Sequence, residues 1–153
     1  CQRRNPCPVD GECLTKGVVY QADVITPSST KTYIGSTGRR FKDRYQEHTH
    51  DFRHIRKAAR TELSKYVWSL KNNNEPYTIE WKLIRKVGNR GKVVPRTCGL
   101  CNHEKIEIAR VKKDQLLNKR SELTGKCIHF TSLYFKGLPK YRFSRIPAPP
   151  DKG

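Results

Sequence analysis

The order of strand-like and helix-like segments is the feature that most limits how this chain can fold. Residues 17–25 are rich in β-branched and aromatic side chains, residues 26–30 carry a turn signal, and residues 31–35 form a short second β segment. Together they predict a β-hairpin. A third alternating segment, residues 77–84, follows only after a long stretch with helical spacing. We therefore expect an α/β (α+β) domain with a small, mostly antiparallel three-stranded sheet flanked by helices.

Helical spacing fills the intervals between the β segments. Residues 36–38 are predicted to end the second strand, and one helix is predicted from Phe41 to about residue 60. Thr61 is placed to cap a second helix over residues 62–71. Further helices are expected over residues 100–113 and 114–123. The first helix takes its periodic stripe from Phe41, Arg44, Tyr45, His48, Phe52 and Ile55.

Composition divides the chain into a core and two unusual ends. Residues 1–16 form a cysteine-rich N-terminal element, residues 17–123 the expected core, and residues 124–153 a C-terminal extension with a basic, aromatic tail. Neither end holds many large apolar side chains, so we expect zinc to staple them. Because the chain has no Met and begins at Cys1, we expect it to be part of a longer polypeptide.

Net charge points to a polyanionic partner. The formal charge is +18, from 32 Lys and Arg against 14 Asp and Glu. No apolar run is long enough to span a bilayer and no secretory signal is present, so a membrane partner is not expected. Nucleic acid is the commonest polyanion for such a chain and is the expected partner. The candidate contacts are Arg39, Arg40, Lys42, Arg85, Lys86, Arg90, Lys92 and Arg96.

Six cysteines suggest metal thiolates. Cys98 and Cys101 have the CxxC spacing of half a zinc site, and Cys127 and His129 can complete it. A second, weaker zinc set is Cys1, Cys7, Cys13 and His103. The basic charge and missing secretory signal favour a reducing compartment. Disulfides of a secreted domain are the alternative, and for any single cysteine a buried thiol is another.

Five side chains have the chemistry that phosphodiester hydrolysis requires. Tyr20 and Tyr33 lie on the two predicted hairpin strands, Arg44 and His48 share one helix face, and Glu104 lies near the start of a later helix. A carboxylate can hold a divalent metal, an arginine can stabilise charge on phosphate, and a phenol or imidazole can move a proton. Taken singly, each residue has an ordinary alternative as a sheet aromatic, a surface charge or a helix-end acid. Taken together and in this order, the five residues favour a catalytic role over these alternatives.

In this order the residues resemble the GIY-YIG nuclease family, over about residues 17–120. Residues 33–35 are Tyr-Ile-Gly, and residues 18–20, Val-Val-Tyr, fill the other half-motif without its glycine. Residues 41–48 are similar to the family's Arg- and His-bearing helix, and residues 104–108 to its glutamate helix. The resemblance implies a metal-dependent DNA endonuclease that uses Mg²⁺ or Mn²⁺ in addition to structural Zn²⁺. It assigns the site to Tyr20, Tyr33, Arg44, His48, Glu104 and Asn118, with Glu104 on the metal.

Other motifs resemble one branch of that family, the endonuclease domain of Penelope-like retroelements. They include residues 7–13, Cys-Pro-Val-Asp-Gly-Glu-Cys, and residues 98–105, Cys-Gly-Leu-Cys-Asn-His-Glu-Lys. This likeness implies a nuclear domain that nicks DNA to prime reverse transcription. The reverse transcriptase and the template RNA of the same polyprotein would then be its partners.

Several alternatives stay open at this stage. Glu107, one helical turn from Glu104, is the rival carboxylate. The division of roles among Tyr20, Tyr33 and His48 is not decided by sequence. Trp68 and Trp81 are expected in the core. The alternative function is a non-catalytic, zinc-containing nucleic-acid-binding module.

Overall fold

The structure, a computed structural model, describes residues 7–87 and 98–124. It contains a three-stranded antiparallel sheet with strand order β2-β1-β3, which confirms the α+β class and the antiparallel sheet. Short 3-10 turns lie at Glu12–Leu14 and Ile55–Lys57. The strands and helices are β1 (Lys16–Ile25), β2 (Thr30–Arg40), α1 (Phe41–Asp51), α2 (Glu62–Asn72), β3 (Thr78–Lys86), α3 (Gly99–Arg110) and α4 (Arg120–Thr124).

The sheet carries apolar side chains on both faces, because alternate residues of β1 point in opposite directions. On one face, Val18 and Tyr20 join a core that includes Phe41 and Leu63 of the first two helices. On the other face, Val19 joins a smaller cluster. Its other buried members are Ile34, Leu100 and Ile108. The sheet therefore lies between α1 and α2 on one side and α3 on the other.

The second strand is longer than the sequence pattern predicted. The expected break at residues 36–38 does not occur, because Ser36 and Thr37 pair with Val19 and Val18 of β1. Both β1 residues are fully buried. The extension matters for function, since it carries β2 directly into α1, where Arg44 and His48 lie.

The first helix is shorter than predicted. It ends at Asp51 rather than near residue 60, and Ile55, assigned to its apolar stripe, is 65% exposed. Side chains of α2 provide the physical reason, because they take up carbonyl groups at the end of α1. Trp68 Nε1 donates to the Asp51 carbonyl at 3.0 Å, and Lys71 Nζ donates to that of Phe52. Of the two tryptophans, Trp81 lies in the core and Trp68 is half-buried.

The segment after α3 is largely not helical, contrary to expectation for residues 114–123. Its backbone pairs with the outer edge of β2: Thr32 N–H donates to the Gln115 carbonyl at 2.7 Å, and Leu117 N–H donates to the Thr32 carbonyl at 2.8 Å. The helix α4 begins only at residue 120. These sheet-like bonds hold residues 115–118 beside the strand that carries Tyr33.

The described part of the N-terminal element packs on the core, where Val9 and Cys13 are buried. Gly17 in β1 has a φ of +62°, and a β-carbon there would lie 2.6 Å from the Val87 carbonyl oxygen. The register with β2 shifts at this glycine, so it forms a bulge that leads into Val18. Within the described residues, no helix is long and apolar enough to cross a membrane.

Candidate active site

Tyr20 lies across its neighbouring strand because the residue opposite is glycine. Tyr20 and Gly35 are partners in the β1–β2 ladder. A β-carbon on Gly35 would lie 2.4 Å from the Tyr20 hydroxyl oxygen and 2.5 Å from the ring carbon that bears it. No real β-carbon approaches atoms so closely, so any side chain at position 35 would displace the phenol. The glycine of the Tyr-Ile-Gly motif thus has a steric reason in this fold.

A chain of hydrogen bonds links Arg44, Tyr20 and His48. Arg44 Nε donates to the Tyr20 hydroxyl oxygen at 3.1 Å. The Tyr20 hydroxyl lies 2.8 Å from His48 Nε2. A phenol has one proton, so the Tyr20 O–H donates to a neutral imidazole while its oxygen accepts from the guanidinium. The predicted convergence of these three residues is therefore present in the structure.

Burial determines the protonation states of Tyr20 and His48 in the free protein. Tyr20 and His48 have no exposed surface. Burial raises the pKa of Tyr20 to about 12, against the opposing effect of Arg44. Burial and the nearby Arg44 lower the pKa of His48 to about 3. At neutral pH both groups are uncharged, and Arg44 supplies the positive charge.

Tyr33 contributes a second phenol from the same sheet face. Its ring centroid lies 6.0 Å from that of His48, with the two rings nearly perpendicular. Burial raises the pKa of Tyr33, and the neighbouring Tyr20 adds to that effect. Tyr33 therefore packs against the imidazole as a neutral phenol.

Glu104 approaches from the opposite face of the sheet. Its Oε2 accepts a hydrogen bond from Ser36 Oγ at 2.9 Å. Burial raises the pKa of Glu104, and the negative charge of Glu122 raises it further. Its charge in turn adds a small increase to the pKa values of Tyr20 and Tyr33, which burial raises most.

The rival carboxylate is engaged elsewhere. Glu107 Oε1 accepts from Arg85 Nε at 2.8 Å and from Arg110 Nη1 at 2.8 Å. Two guanidinium groups therefore neutralise Glu107, whereas Glu104 has a hydroxyl partner and an unfavourable carboxylate neighbour. Glu104 is the better candidate for holding an added cation.

Asn118 is bound to the backbone of β2 rather than to the phenols. Its side chain accepts from Ile34 N–H at 2.8 Å and donates to the Ile34 carbonyl at 2.7 Å. The amide nitrogen also lies 2.6 Å from Glu122 Oε2. Asn118 thus positions the strand that carries Tyr33 and Gly35.

Glu47 is a member of the site that the sequence did not reveal. It accepts from Arg44 Nη1 at 2.9 Å and also pairs with Arg39. Burial opposes the ionisation of Glu47, but the two arginines outweigh it and hold its pKa below the usual value. The available signal was its spacing, three residues after Arg44 on one helix.

Most described members of the predicted DNA-contacting set are in ion pairs. Arg39 pairs with Glu47, Arg40 with Asp43, Arg85 with Glu107, and Lys86 with Glu12. Exposed pairs of this kind contribute little free energy, so a phosphate can replace the carboxylate. Lys42 is half-buried on α1. Arg90, Lys92 and Arg96 lie outside the described residues.

The zinc predictions fall only partly within the described residues. Cys98 precedes α3 and Cys101 lies in its first turn, so the two are brought together at one helix end. Cys7 packs against the core, Cys13 is buried, and His103 is exposed. Over residues 7–87 and 98–124, no three His, Cys, Asp or Glu side chains form a metal-binding group. Cys1, Cys127 and His129 lie outside the described residues.

No protein-family model, curated protein or solved structure matches this chain. An account of its function therefore depends on the geometry of the site. That geometry joins a buried phenol to an arginine and a neutral imidazole, and adds a carboxylate from the other sheet face. Such a set can bind a phosphate, orient a water molecule and hold one hard cation.

Proposed function

We propose that the chain is a metal-dependent DNA endonuclease of the GIY-YIG type that hydrolyses phosphodiester bonds. The observation that carries this proposal is the hydrogen-bonded chain from Arg44 through Tyr20 to His48. Gly35, which makes room for Tyr20, belongs to the motif from which the family resemblance started. The charge of +18 supports a nucleic-acid substrate.

Tyr20 is the group proposed to orient the attacking water. Its own proton is committed to His48, so its oxygen is the acceptor that remains for the hydrogen of a water molecule. With a pKa of about 12, Tyr20 stays a neutral phenol at physiological pH. His48, as a neutral acceptor, fixes the direction of the phenol proton, and Tyr33 packs against the imidazole and keeps it in place.

Arg44 is proposed to stabilise the charge that develops on the scissile phosphate. In the free protein it is bound to Glu47 and Tyr20, and Tyr20 has no exposed surface. We expect the phosphate to draw Arg44 away from Glu47, which would expose the Tyr20 oxygen to the nucleophile. Glu47 would then hold Arg44 in the free enzyme and release it to substrate.

Glu104 is the residue proposed to hold Mg²⁺ or Mn²⁺. One carboxylate completed by waters and phosphate oxygens is a common way to bind Mg²⁺. Burial, and then the negative charge of Glu122, raise the pKa of Glu104, and a bound cation would offset both effects by stabilising the carboxylate. The bound ion would screen phosphate charge and polarise an oxygen ligand. We also propose a structural Zn²⁺ bound by cysteine thiolates. Cys98 and Cys101 are the two proposed ligands of this site that lie within the described residues.

The biological role proposed is that of a retroelement endonuclease. The Cys-rich motifs that resemble Penelope-like retroelements support nicking of nuclear DNA to prime reverse transcription. The reverse transcriptase and template RNA of the same polyprotein are the partners that this role requires.

A plasmid-nicking assay tests the proposal. Supercoiled plasmid incubated with the protein and Mg²⁺ or Mn²⁺ should become open-circle, and EDTA should stop the reaction. Glu104→Ala should abolish nicking but keep DNA binding, because it removes the proposed metal ligand. Glu107→Ala is the matched control on the same helix, and it should keep cutting because Glu107 is neutralised by Arg85 and Arg110.

Two results would reject these assignments. Nicking that survives Glu104→Ala but not Glu107→Ala would transfer the metal to the other carboxylate. Tight DNA binding without nicking by the wild-type protein, with either metal, would support the non-catalytic zinc-containing binding module instead.

A further inference from the structure

A second feature of α1 lies where the helix ends. There a cavity of about 450 Å³ opens to solvent, and we call it the basic cavity. Among residues 7–87 and 98–124, no acidic residue lines it, and every side chain that does is exposed. One continuous stretch supplies the lining: His50, Arg53, His54, Ile55, Arg56 and Lys57.

The basic cavity is separate from the candidate active site. His48 points to Tyr20, and His50 follows two residues later, about 200° further around the helix. His48 is fully buried, whereas His50 is exposed and its ring lies 4.2 Å from that of His54. A molecule in this cavity would therefore meet a different side of α1 from the scissile phosphate.

In the part of the chain that the structure describes, the Arg and Lys side chains of the basic cavity are not paired with carboxylates. Among residues 7–87 and 98–124, no ion pair involves Arg53, Arg56 or Lys57. Arg39 and Arg85, which the sequence singled out as DNA contacts, are both paired with carboxylates. Within the described residues, an incoming anion would therefore meet unpaired cations at the basic cavity, whereas at Arg39 and Arg85 it would have to displace a carboxylate.

The acid and the backbone of this segment are turned inward. Asp51 is 1% exposed, and its Oδ1 lies 3.4 Å from Arg60 Nη1 and 3.7 Å from His50 Nδ1, so this carboxylate faces one residue of the lining but none of Arg53, Arg56 and Lys57. Phe52 is buried in the core, and its carbonyl accepts from Lys71 of α2. Because α2 holds the backbone in this way, the cationic side chains project from a backbone that is already ordered. Binding a ligand therefore costs less conformational entropy.

We propose that the basic cavity binds the phosphodiester backbone of a nucleic-acid segment that is not the one being cleaved. Exposed guanidinium, ammonium and imidazole donors on one frame fit the spaced oxygens of a phosphate backbone. We assign that backbone to the duplex DNA that flanks the cleavage site, because the proposed substrate is DNA and its phosphates continue past the active site. The inference rests on the proposed action on nucleic acid, but its test measures binding and not cleavage.

The test compares two double variants that remove the same charge. The first variant, Arg56→Gln with Lys57→Gln, removes two positive charges from the cavity lining. The control variant, Lys112→Gln with Lys113→Gln, removes two adjacent, exposed cations after α3. Each protein is titrated without divalent metal against a duplex long enough to extend past the active site, a short duplex of one helical turn, and a single-stranded RNA. Salt is varied in every titration, and thermal melting checks that each variant is folded.

The cavity variant should lose several-fold affinity relative to its control, with a salt slope shallower by up to about 1.8, from about 0.9 per lost phosphate contact. A loss confined to the long duplex identifies flanking DNA as the ligand, whereas a loss confined to the RNA, or one of equal size on all three ligands, would overturn the assignment to flanking DNA. Equal affinities and slopes for the two double variants, on all three ligands, would overturn the proposal. Nicking of plasmid by the wild-type protein is scored separately, so failure of the endonuclease proposal is distinguishable.

Discussion

Gly35 is the residue whose role is defined most sharply by the structure. The matched comparison is Gly38, where a β-carbon would meet nothing within 4 Å. We expect Gly35→Ala to reduce nicking by about 100-fold, since displacing a reacting group by about 1 Å has effects of that size. Gly38→Ala should cut at close to the wild-type rate. Single-turnover nicking at saturating DNA measures the difference, and equal rates would contradict the steric account of Tyr20.

His48 makes a prediction about stability rather than rate. Its pKa in the folded protein is about 3, below the unfolded value of about 6.5, so between these values the unfolded chain binds more protons. The stabilisation is present above pH 6.5 and is lost as pH falls towards 3. Between pH 7 and 5.5 this group should remove about 1 kcal/mol from the free energy of unfolding.

The measurement is urea unfolding of the wild type and His48→Gln at both pH values. Glutamine can still accept from Tyr20 but does not titrate in this range. The loss of stability between pH 7 and 5.5 should therefore be smaller in the variant by about 1 kcal/mol. Parallel losses in the two proteins would mean that His48 binds protons equally in the folded and unfolded chains over this range, and that folding does not lower its pKa.

Residue identities were easier to predict than their partners. Spacing along the chain was enough to place Arg44 and His48 on one helix face, because that rule is local. It could not show that Arg44 shares Glu47 with Arg39, since that pairing depends on how β2 enters α1. The same limit applies to Gly35. Position 35 must lack a side chain because Tyr20 occupies that space, and only the folded structure shows this contact.

At the scale of elements, Asn118 connects the segment after α3 to β2. Asn118→Ala leaves the N–H and carbonyl of Ile34 without these partners in a buried position, at about 1–3 kcal/mol for each group. We expect a loss of about 3 kcal/mol in the free energy of unfolding, and weaker nicking because the Tyr33 strand loosens. Asn72→Ala, at an exposed position in the last turn of α2, is the control and should change stability little. Equal denaturation midpoints would show that Asn118 does not hold the strand.

The elements that sequence periodicity mispredicted are those decided by distant contacts. Thr61 and Ser64 form a capping box, a local signal, and α2 begins where the sequence placed it. The end of α1 is different, because it depends on Trp68 and Lys71 from another helix. Residues 114–123 were expected to be helical and instead pair with Thr32 through bonds that no local pattern indicates.

At the scale of the whole molecule, the net charge of +18 predicts strongly salt-dependent binding to any DNA sequence. Each phosphate that the protein neutralises releases counterions and contributes about −0.9 to the slope of log affinity against log salt. Several contacts should therefore give a slope of roughly −4 or steeper on duplex DNA.

Ion pairs within the protein determine which basic residues contribute most to the salt dependence of DNA binding. Four predicted DNA contacts must exchange a carboxylate for a phosphate, so part of their gain in binding free energy is offset: Arg39, Arg40, Arg85 and Lys86. Arg53, Arg56 and Lys57 form no ion pair with any residue that the structure describes, so they have no such exchange to make there. Removing Glu47 or Glu12 should thus strengthen binding at low salt by freeing Arg39 or Lys86. The measurement is fluorescence anisotropy with a labelled duplex from low to physiological salt, on the wild type, Glu47→Gln and Glu12→Gln. A wild-type slope near zero would contradict a phosphate-binding role for the charge, and unchanged affinities in both variants would show that the ion pairs do not compete with DNA.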